Sequence, residues 1–69
     1  MNRQEMGKRL EAIRKERGQS KAHVSRMTGC SYSAICSYEA GRRSPSDDVK
    51  VKLADHFGVS VGSLFYCDR

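Results

Sequence analysis

The strongest constraint in the chain is a single glycine, Gly29, between two short apolar-patterned runs in Lys21–Glu39, KAHVSRMTGCSYSAICSYE. Before it, Val24, Ser25 and Thr28 share one helical face; after it, Cys30, Ile35 and Tyr38 do the same. Glycine alone enters the left-handed region without steric cost, so the chain turns sharply at Gly29. Ser31 follows directly and is placed to cap the next helix by accepting a backbone N–H bond. Ser25 is small enough for a close helix crossing if its hydroxyl bonds back to a carbonyl.

The flanking segments extend the helical pattern. Met6, Leu10 and Ile13 recur at helical spacing and predict a first helix over 4–17, stopped at Gly18. Gly7 predicts a frayed start. Ser20 caps a second helix over about 21–27, and a third runs over about 32–39 to Gly41. Ser46 caps a fourth, with Asp47 and Asp48 in its first turn, where carboxylates complement the helix dipole. Val49, Leu53, Ala54 and Phe57 form its apolar stripe. Lys50 shares the stripe, with its methylenes expected over the core and its ammonium in water. Ser60 caps a last helix over 61–66, with Val61, Leu64 and Phe65 facing in. No stretch alternates with period two, so the expected fold class is all-α: a compact five-helix unit occupying 1–69 as one domain.

Two short helices hinged on a glycine form a helix-turn-helix, whose second helix lies in the major groove of DNA in proteins that use it so. Charge supports that direction. The net charge is +5, and the basic excess is confined to residues 1–43, which hold ten Lys/Arg against four Glu. Taking Ile35 as inward, Ser33 and Ser37 point out, Tyr32 stands at the exposed start of the third helix, and Cys36 lies on its flank. Arg42 and Arg43 follow the third helix in a polar loop and are candidate phosphate contacts.

Other classes find little support. No apolar run approaches the roughly 20 residues of a membrane span, and the charged N-terminus lacks a signal-peptide core, so the expected location is the cytoplasm. Three cysteines without a C-x-x-C pair argue against a disulfide framework. Cys30, Cys36, Cys67, His23 and His56 show no metal-ligand spacing, and the histidines read as surface residues. No catalytic motif is present, so no enzyme activity, cofactor or small-molecule ligand is expected.

The chain resembles the lambda-repressor/Cro-like, or Xre, family. The matching residues are IRKERG at 13–18, SKAHVS at 20–25, TGCS at 28–31, ICSYEAG at 35–41, Pro45-Ser46, LADHFGVSV at 53–61 and Leu64-Phe65. The resemblance implies a DNA-binding domain of five helices that works mostly as a dimer in transcriptional regulation. Its base-facing positions fall on Tyr32, Ser33, Ala34 and Ser37. Its phosphate-contacting positions fall on Lys21, where the family usually has Gln, and on Ser31, Arg42 and Arg43. Its structural ion pair falls on Arg14 and Glu39. The third helix carries no Arg, Gln or Asn at its outward positions, the types that make bidentate base contacts.

The sequence therefore predicts a repressor bound as a homodimer to a pseudo-palindromic operator in double-stranded DNA. The dimer surface is expected around Leu64, Phe65 and Tyr66, where apolar side chains exceed what a small core absorbs. The chain is expected to lack an appended ligand-binding domain. A protein-interaction module, such as an antitoxin or anti-repressor, is the alternative, although only Tyr66 to Arg69 remains as an extra arm.

Overall fold

A computed structural model describes residues 2–66 of the 69 and gathers them into α1 (Arg3–Glu16), α2 (Lys21–Thr28), α3 (Tyr32–Glu39), α4 (Asp47–Phe57) and α5 (Val61–Phe65). The observed bounds lie within one residue of those expected, because the end signals are local and strong. Each helix starts on a short polar residue: Asn2, Ser20, Ser31, Ser46 and Ser60 accept the N–H of Glu5, His23, Ala34, Val49 and Ser63. These bonds satisfy donors that have no partner inside the helix.

The start of α1 differs from the frayed turn expected. Asn2 accepts from the Glu5 amide at 2.9 Å and Glu5 accepts in return from the Asn2 amide at 3.2 Å, a reciprocal capping box. Gly7 is not a weak point within a free turn but the contact at which α1 crosses the end of α3. A Cβ at this position would lie 2.6 Å from the Glu39 carbonyl oxygen and nearer still to that of Tyr38. Only a residue without a side chain lets the two backbones meet.

The core is one cluster drawn from all five helices, with Leu10, Val24, Ile35, Leu53, Phe57 and Phe65 almost wholly buried. α1 packs chiefly on α3 and also on α5, while α4 bridges α2 and α5. Leu64 and Phe65 retain 2% and 0% of their exposure, which corrects their expected place in a dimer surface. The reason is one of supply. α5 has only five residues with which to close the core, and burying such side chains stabilises by about 1.5–3 kcal/mol each. Of that trio only Tyr66 is exposed, at 51%.

Lys50 also departs from expectation. Its ammonium is not in open water. The residue is buried, Nζ donates to the Tyr66 hydroxyl at 2.5 Å and lies 4.6 Å from the Tyr66 ring centroid, with Asp47 4.0 Å away. Cation–π attraction and a hydrogen bond together hold the buried charge.

Four arginines of α1 and its exit reach backbone carbonyls elsewhere. Arg9 donates to Ser63 and Leu64 at the end of α5, and Arg17 to Phe57 at the end of α4. Arg14 reaches Gln19 in the link to α2, and Arg3 reaches Arg42 after α3. Helix ends leave carbonyls unpaired and carry partial negative charge, so a guanidinium satisfies both at once.

His23 on α2 and His56 on α4 face one another with ring centroids 5.9 Å apart. Rather than lying free at the surface, both are half-buried; His56 Nε2 donates to Gln19 Oε1 at 2.7 Å and its ring meets the Phe57 edge at 4.7 Å. Burial, and then the neighbouring His23, push the His56 pKa below its ordinary value of 6.5.

Two outcomes follow from this packing. Gly7→Ala should destabilise by about 1–3 kcal/mol through the forced separation of α1 and α3. Gly62→Ala, with nothing within 4 Å of the added carbon, should instead stabilise by about 0.5–1 kcal/mol; urea denaturation measures both. The lowered His56 pKa means that the unfolded chain binds more protons just below pH 6.5. Stability should be complete above pH 6.5 and fall as pH drops toward the folded-state value. His56→Gln should flatten that decline in melting curves collected between about pH 7.5 and 5.5, and a decline of unchanged slope would rule out this origin.

Candidate nucleic-acid interface

The turn between α2 and α3 is fastened by its own side chains. Gly29 takes φ 77° and its amide bonds to the Ser25 carbonyl. Thr28 Oγ1 donates to the Val24 carbonyl at 2.7 Å and accepts from the Cys30 amide at 3.4 Å. The Ser25 hydroxyl donates forward, to the carbonyl of Cys30, rather than back into α2. That bond ties the body of α2 to the residue that precedes the cap of α3, so the angle between the two helices is set locally.

α3 is also fixed at its far end. Arg14 Nε and Nη2 bind the two Glu39 carboxylate oxygens at 2.7 and 3.1 Å, while Nη1 donates to the Gln19 carbonyl at 2.8 Å. The two side chains keep only 10% and 4% of their exposure. The Glu39 hydrogen bond raises the Arg14 pKa against the opposing effect of burial. One guanidinium thus joins α1, the link into α2 and the last residue of α3, and the bidentate geometry specifies orientation as well as distance.

With both ends set, α3 shows solvent a narrow polar strip. Tyr32 is 54% exposed, Ser33 is exposed, and Ser37, one turn on, is half-buried. Ala34 is different: only 9% exposed, it packs in the core, which corrects its expected base-facing position. It stands four residues before Tyr38, itself buried at 5%, and therefore shares the inward face.

Lys21 is half-buried at the first position of α2. Ser31 is exposed, and its oxygen accepts the Ala34 amide. Arg42 and Arg43 are exposed in the α3–α4 loop, and the Arg43 guanidinium lies 5.6 Å over the Tyr38 ring. Among the described residues, no carboxylate forms an ion pair with Lys21, Arg42 or Arg43. α3 is about 12 Å long, and Arg42 and Arg43 follow its last residue in the chain, while Lys21 opens α2.

Among the described residues there is no group of three or more His, Cys, Asp or Glu arranged to hold a metal ion. Cys30 and Cys36 are half-buried free thiols, and Cys67 lies outside the described residues. No described helix is long and apolar enough to cross a membrane. The sequence reading missed the roles of Gly7, Arg9 and Arg17, the Lys50–Tyr66 contact and the His23–His56–Gln19 group. All depend on partners distant in sequence, and no local pattern marks them.

Comparison with known proteins agrees with the geometry. A family model described as a helix-turn-helix domain matches residues 5–64. The HTH-type transcriptional regulator PuuR of Escherichia coli (strain K12) is 34% identical over 59 residues, covering 86% of this chain and 32% of that protein. PuuR of Shigella flexneri gives the same values. The chain thus spans about a third of the length of the curated relatives it matches. No solved structure matches it significantly. With its helix-turn-helix model spanning most of the sequence and its turn, caps and packing in place, the chain belongs to the helix-turn-helix domain family, in the lambda-repressor/Cro-like (Xre) branch that its residues resemble.

Proposed function

We propose that this chain is the DNA-binding part of a transcriptional regulator that lays α3 in the major groove of double-stranded DNA. The observation that carries the reading is the polar strip of exposed Tyr32 and Ser33 and half-buried Ser37 on a helix fixed at both ends, on a chain whose Lys21, Arg42 and Arg43 form no ion pair among the described residues. The regulators named among its relatives support it. The role is binding rather than catalysis, and its place is the cytoplasm, where a bacterial genome is found.

Lys21, Ser31, Arg42 and Arg43 take phosphates and set the register of the protein on the duplex. Lys21 acts as a point charge, and Ser31 donates its hydroxyl proton while its oxygen caps α3. The reading strip is Tyr32, Ser33 and Ser37. Tyr32 places its ring against base edges or a thymine methyl, and the serines add single hydrogen bonds. Bidentate contacts are each worth about 1–3 kcal/mol of discrimination. Without them, DNA shape and phosphate geometry carry a large share of the choice of site.

Regulation by repression follows from occupying a promoter. One α3 reads only a few base pairs, so two copies act on a pseudo-palindrome, with half-sites about 34 Å apart. Exposed Val51 and Tyr66, on the α4–α5 side, support pairing there.

Mobility shifts on DNA flanking the chain's own gene, at two salt concentrations, test the proposal. Specific binding that weakens steeply with salt is expected; retention no better than on random DNA would sink it. Arg43→Ala should weaken all sequences by a similar factor. Tyr32→Ala should change the ranking of sequences in a binding-site selection, and an unchanged ranking would remove Tyr32 from base reading.

A further inference from the structure

Arg3, in the first turn of α1, reaches the α3–α4 loop that carries Arg42 and Arg43. Arg3 Nη1 donates to the Arg42 carbonyl at 3.3 Å. Gln4 packs on the same loop, since a Cβ at Gly41 would lie 3.0 Å from its Cγ. Arg43 is steadied over the Tyr38 ring at 5.6 Å. Arg3, Arg42 and Arg43 are all exposed, and among the described residues none forms an ion pair. Several other cations of the fold are engaged internally, although Lys8, Lys21, Arg26 and Lys52 likewise form no ion pair among the described residues. Arg14, Lys15 and Lys50 each have a carboxylate within 4.0 Å, and Arg9 and Arg17 are spent on the final carbonyls of α5 and α4.

We propose that Arg3 is a third phosphate-binding arginine of this loop, so that the DNA contact extends past the two-helix motif onto the start of α1. The inference rests on the docking of α3 in the major groove. The loop leaves the end of that helix, and groups at its level face the phosphate wall of the groove. Binding of Arg3 to the Arg42 carbonyl uses one of five N–H donors and leaves the others free on an exposed residue. An anionic backbone with a phosphate about every 3.4 Å along each strand can take several such cations together. The carbonyl contact holds Arg3 in place before DNA arrives, which lowers the conformational entropy lost on binding.

The test is fluorescence anisotropy of the 69-residue chain on a labelled 20-base-pair duplex of arbitrary sequence, and on a selected site, between about 50 and 200 mM salt. Arg3→Gln should weaken both duplexes by a similar factor and reduce the slope of log K against log salt by about 0.9, the value for one phosphate. Arg3→Lys, which keeps the charge, should retain the wild-type slope. Thermal melts of both variants should match the wild type. A wild-type slope in Arg3→Gln overturns the proposal, and if affinity falls at unchanged slope, Arg3 merely holds the loop through Arg42. A flattened slope in Arg3→Lys overturns it as well. If the wild-type chain binds neither duplex, the docking of α3 fails with it; loss confined to the Arg3 comparison leaves that docking intact.

Discussion

Everything presented by α3 depends on how closely α1 approaches its end. At Gly7 two backbones touch with no side chain between them, and one helical turn beyond the next, Arg14 grips Glu39 with two parallel hydrogen bonds. The first contact sets the distance and the second sets the angle. Neither suffices alone. A close glycine crossing allows sliding, and an ion pair spanning a wider gap would need longer, looser geometry. A buried pair of this kind loses hydration, so its value lies in orientation more than in net stability.

The helix-turn-helix itself was legible because its determinants are local. Ser20 and Ser31 cap, Gly29 turns, and Val24, Ile35 and Tyr38 mark the inner faces within a span of nineteen residues. The inward place of Ala34 is not legible, because position along a helix does not reveal how wide the buried face is; α3 packs against both α1 and α2, and so buries a broader arc than a single apolar stripe. The spacing of Leu64 and Phe65 predicts that they face in, but it carries no measure of core size, and the small core needs both and leaves neither for a dimer surface. Gly7 illustrates the limit most clearly. From sequence it reads as a defect in a helix, and its purpose exists only once the end of α3 lies across it.

Electrostatics shows the same division. The basic excess of the first 43 residues points toward an acidic partner, yet a good part of it is internal fastening. What remains without an ion pair among the described residues includes Arg42 and Arg43 in the loop that leaves α3. Bulk charge therefore indicates the kind of partner, and only the hydrogen-bond partners of each arginine separate the groups that meet it from those that hold the fold together.

The carbonyl contacts of α1 are made by arginine in every case, and this choice has a consequence for alkaline conditions. A lysine in any of these places would release its proton near pH 10.4 and let go of the helix end it held. A guanidinium keeps its proton well beyond that. The joints from α1 to α4 and α5 thus rest on the one basic side chain type that stays a donor throughout the range in which amines fail.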